Sequence, residues 1–202
     1  MNKLLASLAA ALIAAGLSAT AASAGAISPS QQDGPFQGVV IVPAAADAQE
    51  GSGEVAKFKR GKIVEFETAA AAGDIIVNTK QNRLYFVLGS GKAVMYRVAS
   101  AKKGFEWKGS HKVSAKVKWP DWRPPQEMRK RRPDLPAFMA GGPDNPLGAR
   151  ALYLGSSIYR IHGTNEPSSI GKAASSGCIR MLNEDVSELY RHVKVGARVT
   201  VL

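Results

Sequence analysis

The sequence predicts a mainly β domain with short helices, of the α+β class, and three observations predict it. Residues 74–99 hold three apolar runs rich in Val, Ile, Tyr and Phe, and Gly89-Ser90-Gly91 separates the last two, as in a β-hairpin. Residues 112–119 alternate Val113, Ala115, Val117 and Trp119 with Lys112, Ser114, Lys116 and Lys118, the period of a strand with one buried and one basic face. Only at Val186, Leu189, Tyr190 and Val193 do apolar residues recur at helical spacing.

The chain opens differently. Lys3, the apolar residues 4–17 and Ala22-Ser23-Ala24 follow the order of a secretory signal peptide, residues 1–24, cleaved after Ala24. The apolar run is shorter than the roughly 20 residues that span a bilayer, so no stable membrane insertion is expected after cleavage. Residues 25–65 are rich in Ala, Gly, Ser, Gln and Pro without a sustained apolar period and read as a flexible linker, to whose end residues 58–66 can add a strand. The remainder, residues 66–202, is one domain's worth of chain and long enough to bury a core.

Within that domain, strands are expected over residues 74–79, 83–88, 93–99 and 112–119, antiparallel in flavour. Residues 120–148 break the pattern with repeated Pro and Gly, Trp122, and the basic cluster Arg129-Lys130-Arg131-Arg132; so long a stretch without a period is functional or disordered. Asn183 can cap a helix whose first turn holds Glu184 and Asp185, favourable at the positive end of the helix. His192 near its end would face the negative end of the dipole, His111 reads as structural, Gly196 stops the helix, and residues 198–202 supply a last strand.

Charge and composition narrow the function classes. The formal net charge is +11, from 27 Lys and Arg against 16 Asp and Glu, and removal of residues 1–24 takes away only Lys3. Such a surplus implies an anionic partner or a solvated basic surface. No recognition motif accompanies it and the leader points to secretion, so nucleic acid is not expected as the partner. One cysteine and three scattered histidines do not make a zinc site, and no phosphate loop occurs, so neither metal nor cofactor is expected.

The chemistry concentrates in residues 161–181. The single cysteine, Cys178, cannot form an internal disulfide, so it is a buried bystander, an intermolecular link or a free reactive thiol. Its neighbours Ser175, Ser176 and Gly177 are small and Arg180 is cationic, a setting that favours the thiolate. Gly177 allows a sharp turn that would aim its own amide and that of Cys178 at one point, as an oxyanion hole requires. His162 ends an apolar run, residues 152–161, and suits a strand mouth from which it would act as base toward Cys178. The histidine precedes the cysteine by sixteen residues, the reverse of the papain order.

The His162-Gly163 dipeptide, the polar loop after it and the run Ser175-Ser176-Gly177-Cys178-Ile179-Arg180-Met181 resemble the signature of the L,D-transpeptidase catalytic domain, often called the YkuD domain. The resemblance covers residues 73–202, and residues 141–155 resemble the portion preceding the catalytic histidine in the Gram-negative branch. Many members carry a histidine where this chain has Ser176. The resemblance implies a β-sandwich catalytic domain in the periplasm, acting on peptidoglycan stem peptides. It implies a Cys178 thioester on the third residue of a tetrapeptide stem with release of D-Ala, then transfer to an amine to form a 3→3 cross-link. By the same resemblance His162 is the base, the Gly163 carbonyl orients it, Ser176 and Arg180 bind substrate or support the loop, and carbapenems acylate the thiol. Residues 120–148 would then form a lid or wall over the cleft, the alternative being a solvated loop whose tryptophans plug the core. The acceptor stays open between a stem amine, an envelope protein amine and water, and a non-catalytic wall-binding module is the reading from another class.

Overall fold

The computed structural model describes residues 57–202; the expected signal peptide and most of the expected linker lie outside the described residues. The first strands form where the apolar runs fall: β1 (Lys62–Glu65), β2 (Ile75–Asn78), β3 (Arg83–Gly89), β4 (Lys92–Arg97), the two-residue β5 (Ser100–Ala101) and the long β6 (Gly109–Lys118). A short helix, α1 (Gln126–Arg131), interrupts the Pro-rich segment. Then come β7 (Arg150–Leu154), β8 (Arg160–His162), a 3-10 turn (Pro167–Ser169), β9 (Ala173–Ser175), β10 (Ile179–Arg180), α2 (Asn183–His192) and β11 (Arg198–Val201).

Nine strands hydrogen-bond in the order β1-β4-β3-β2-β11-β6-β7-β8-β10, and β5 pairs with β9 separately. The joint is β6. Its first part, Gly109 to Lys112, pairs with β11, while its second part, Val113 to Lys118, pairs with β7 across a register shift between Val113 and Ala115. Such a shift bends a strand and sharpens its twist, which lets the two parts of the sheet share one core. Ile75, Leu84, Phe86 and Val94 from one part meet Val113, Leu152, Leu154, Ile161 and Ile179 from the other, with Val186, Leu189 and Val193 of α2 closing the cluster. Burying each such aliphatic side chain contributes about 1.5–3 kcal/mol. Phe66, Ile76, Tyr85, Val87 and Ala93 form a second cluster. β2 and β3 are therefore covered on both faces, which is why their apolar runs are continuous rather than alternating.

Several expectations change in three dimensions. The antiparallel pattern is incomplete: β11 runs parallel to β2, β10 to β8, and β5 to β9. β11 reaches its central place by a crossover through α2, which frees it to lie parallel to a strand more than 100 residues upstream. β1 lies inside residues 25–65, and packing starts ahead of residue 66. The backbone N–H groups of Lys59, Arg60 and Gly61 donate to the buried Glu188 carboxylate at 2.6–3.2 Å, as does the Tyr96 hydroxyl at 3.0 Å. A carboxylate taken out of water needs that many donors.

Asn183 does not cap α2. Leu182 holds that position without a side-chain bond, because the Asn183 amide is turned toward the loop after β8. His192 stands in the last turn of α2, as expected, but against an aromatic ring. It packs 4.1 Å from the Phe58 ring, and burial lowers its pKa. Trp119 is 45% exposed with φ +44°, so it does not plug the core.

Candidate active site

The site is built by two short strands. β8 and β10 pair in parallel with Ile161 opposite Ile179 and His162 opposite Arg180. Side chains alternate along a strand, and Ile161 and Ile179 point into the core. Arg160 and His162 on one strand, with Cys178 and Arg180 on and just before the other, consequently take the opposite face, and all four line a cavity of about 540 Å³. The apolar run 152–161 is thus two strands, not one: β7 ends at Leu154, the chain turns through Gly155 at φ +58°, and β8 brings His162 in beside β10.

His162 is 4% exposed, and its Nδ1 lies 2.6 Å from the Gly163 carbonyl oxygen. We assign the Nδ1 proton to that bond, which leaves Nε2 as the basic nitrogen. The backbone around it is clamped. Gly163 N–H donates to Arg150 O at 3.0 Å and Met181 N–H to His162 O at 2.8 Å. Asn183 Oδ1 accepts from the amides of Ala149 and Thr164 at 2.9 and 3.2 Å. A Cβ on Gly163 would sit 2.2 Å from Asn183 Oδ1, so only glycine permits this approach. Burial drives the His162 pKa down to about 3; the Gly163 carbonyl partly opposes this, and the cations of Arg180 and Arg160 push the same way as burial.

Cys178 is half-buried, and its sulfur has one long contact, to the Ile158 carbonyl oxygen at 3.9 Å. Burial raises the thiol pKa, and the pull of Arg160 and Arg180 in the other direction does not overcome it. Burial thus works against the charged form of both partners, and so against the thiolate that the small, cationic surroundings favour.

Gly177 adopts φ +113°, and a Cβ there would lie 2.6 Å from the Tyr159 ring. Tyr159 stacks on Trp107 with centroids 4.3 Å apart and planes 6° from parallel, and Trp107 Nε1 donates to Gly177 O at 2.7 Å. Nothing in the sequence singled out Trp107 or Tyr159, since neither belongs to the motif. Of the two amides expected to converge, one is already engaged. Gly177 N–H donates to Ser175 Oγ at 3.1 Å, whereas Cys178 N–H has no acceptor among the described residues.

Ser176 lines the cavity. Arg180 also reaches it, but its guanidinium is paired with Glu166 at 3.1 Å and its backbone with Ala99 at 2.8 and 2.9 Å, so it braces the loop. Across the cavity, Trp122, Pro125, Met128 and Leu135 from residues 120–148 form the facing wall. That stretch keeps its shape through the buried Asn145, whose Nδ2 donates to the carbonyls of Pro120, Met139 and Ala140 at 3.0–3.2 Å. Five lining residues are basic, Lys102, Arg131, Arg132, Arg160 and Arg180, and none is acidic. The cavity therefore favours anions.

Comparison with known proteins agrees with this architecture. Residues 72–201, more than half of the chain, match the YkuD family, the L,D-transpeptidase catalytic domain. The probable L,D-transpeptidase ErfK/SrfK of Escherichia coli is 38% identical over 137 residues, 63% of this chain and 43% of that protein. The probable L,D-transpeptidase YbiS of the same organism is 37% identical over 134 residues, 62% of this chain and 43% of its own. The chain thus aligns with less than half the length of these curated relatives. A solved L,D-transpeptidase from Mycobacterium smegmatis superposes with TM-score 0.53 over 72% of this chain and 69% of that one, at 13% identity, a likeness of fold.

Proposed function

Since the chain belongs to the L,D-transpeptidase catalytic domain family, we propose that it is a peptidoglycan L,D-transpeptidase working through a thioester on Cys178. The observation that carries this is the β8–β10 register, which sets His162 and Cys178 on one face of an anion-favouring cavity, with the imidazole held through Nδ1 by the Gly163 carbonyl.

With burial favouring a neutral pair at rest, the order of events follows. As the Cys178 sulfur attacks the carbonyl of the third residue of a tetrapeptide stem, its proton passes to His162 Nε2. The Cys178 N–H holds the developing oxyanion; one such donor typically contributes on the order of 100-fold in rate. The C–N bond to the terminal D-Ala breaks, and the His162 proton goes to the departing amine. An amine of a second stem then attacks the thioester, gives its proton to His162 and expels the thiolate, which leaves a 3→3 cross-link. The leader-like residues 1–24 and this substrate together assign the protein to the periplasm. No helix among the described residues is long and apolar enough to cross a membrane.

The test is incubation of the protein and its Cys178→Ala variant with purified disaccharide-tetrapeptide, followed by mass spectrometry. A dimer lacking one D-Ala, formed by the wild type alone, is the expected result. Release of D-Ala without a dimer would assign the acceptor to water or to a protein amine, and absence of both would sink the enzymatic reading.

A further inference from the structure

We propose that Arg160 selects the acyl donor, its guanidinium binding a carboxylate carried next to the carbonyl that Cys178 attacks. This rests on the acyl-transfer reading of the site and names a residue that reads its substrate.

Arg160 lies two residues before His162 on β8 and so on the same face, and the β8–β10 register continued by one residue sets it level with Cys178. Nearness to the sulfur has a second sign: both the backbone and the guanidinium of Arg160 act to lower the Cys178 pKa. Of the cations lining the cavity, Arg132 is held by Asp134 at 2.6 and 2.8 Å and Arg180 by Glu166; Lys102 and Arg131 are not paired with a carboxylate but lie over the Phe105 ring at 5.2 and 4.9 Å, and neither belongs to β8 or β10, the strands beside Cys178. Arg160 has no carboxylate partner among the described residues.

The contacts it does make orient it and leave it incomplete. One terminal nitrogen donates to Ile158 O at 3.1 Å, and the guanidinium lies over the Tyr153 ring at 4.8 Å. Nε is buried with no acceptor, the one such side-chain atom among the described residues. An unmet buried donor is destabilising, and a guanidinium edge offers two parallel N–H groups that match the two oxygens of a carboxylate. A carboxylate entering the cavity meets the terminal N–H groups, and a small shift of the side chain brings Nε into the same fork. Arg180, for which substrate binding and loop support were both expected, is already engaged by Glu166.

The test measures binding of two synthetic tetrapeptides ending in D-Ala, one whose third residue bears a free side-chain carboxylate and one with the carboxamide there. Each is titrated calorimetrically into Cys178→Ala, Cys178→Ala/Arg160→Gln and Cys178→Ala/Arg160→Lys, with thermal unfolding as the folding control. The expected result is about tenfold to a hundredfold tighter binding of the carboxylate peptide by Cys178→Ala, the range of a charge-assisted hydrogen bond. Arg160→Gln should abolish the difference, and Arg160→Lys, a point charge without the fork, should keep only part of it. Equal binding of the two peptides by Cys178→Ala, no binding of either, or discrimination that survives Arg160→Gln would overturn the assignment. D-Ala release by the protein with Cys178 intact, scored separately, decides the acyl-transfer reading. Selective binding without release leaves Arg160 standing and sinks that reading; release without selectivity does the reverse.

Discussion

The Trp107 indole N–H donates to the Gly177 carbonyl at 2.7 Å, across 70 residues of sequence. That carbonyl belongs to the peptide bond whose N–H is the Cys178 amide. In a planar trans peptide the two groups point in opposite directions, so holding one aims the other. Trp107 thereby fixes the plane of the peptide that carries the Cys178 amide, the donor proposed for the oxyanion.

Trp107→Phe keeps a ring to stack on Tyr159 and removes the donor. The loss of one neutral hydrogen bond predicts a kcat about three- to tenfold lower with KM and the unfolding temperature little changed. Steady-state kinetics beside a thermal melt check this, and an unaltered kcat would mean the peptide plane is held without the indole.

Gly177→Ala meets two obstacles, a left-handed φ of +113° and a Tyr159 ring carbon 2.6 Å from the new Cβ. Both force the Gly177-Cys178 peptide to move. We expect activity to fall by on order of 100-fold or more, as when an oxyanion donor is lost. A second variant, Gly177→Ala with Tyr159→Ala, relieves the clash but not the backbone strain, so it should recover little.

Alkylation of Cys178 by iodoacetamide should titrate above the range of an ordinary exposed thiol, because burial raises its pKa. The rate near neutral pH should fall below that of a small free thiol. A midpoint well under the ordinary value would show a thiolate at rest and refute the neutral pair. Carbapenem acylation, seen as a mass increment on the wild type and not on Cys178→Ala, should still occur, since the proton leaves as the bond forms.

His162 also predicts a pH dependence of stability. Its folded pKa, about 3, lies below the ordinary value near 6.5, so on acidification the unfolded chain takes up a proton that the folded one refuses. The His162 contribution should therefore be full above about 6.5 and decline below it, approaching roughly 1.4 kcal/mol per pH unit toward the folded pKa. His192, whose pKa burial also lowers, acts in the same interval in both proteins, and Glu188, whose donors outweigh the opposing effect of its burial, holds its contribution until pH falls below the ordinary carboxylate range, so the difference between wild type and His162→Gln from 6.5 to 5 reports on His162. Denaturant midpoints of the wild type and His162→Gln across that interval should diverge in slope. Parallel curves would contradict the buried neutral imidazole.

Glu188→Ala should act on stability and leave the chemistry alone. It strands the amides of Lys59, Arg60 and Gly61 and the Tyr96 hydroxyl, and we expect a loss on the order of 3 kcal/mol or more. Turnover measured well below the melting transition should match the wild type; a large drop in kcat there would show that the clasp reaches the site.

Much of this molecule was legible in one dimension. β2, β3, β4 and β6 announce themselves because a strand's burial is written in its own residues: two covered faces for β2 and β3, alternation for β6. His162 and Cys178 were legible as a pair because the glycines and small residues beside them are local requirements of their backbone. Trp107, Arg160 and Asn183 were not. Each acts on a partner that only folding brings near: Trp107 on Gly177, Arg160 on the level of Cys178, Asn183 on Ala149 and Thr164.

The amino-acid sequence by itself determined the strand-rich class and the helical face of α2 and singled out the residues proposed for acyl transfer, since propensity, periodicity and backbone permissiveness are properties of neighbours along the chain. The tertiary structure alone decided the central place of β11, the register that sets Arg160, His162, Cys178 and Arg180 on one face, and which of the cavity's cations are paired with carboxylates. It also decided the direction in which the site's pKa values move. Removal from water acts on groups gathered from distant segments, and here it outweighed the nearby arginines that sequence proximity had suggested would hold a thiolate.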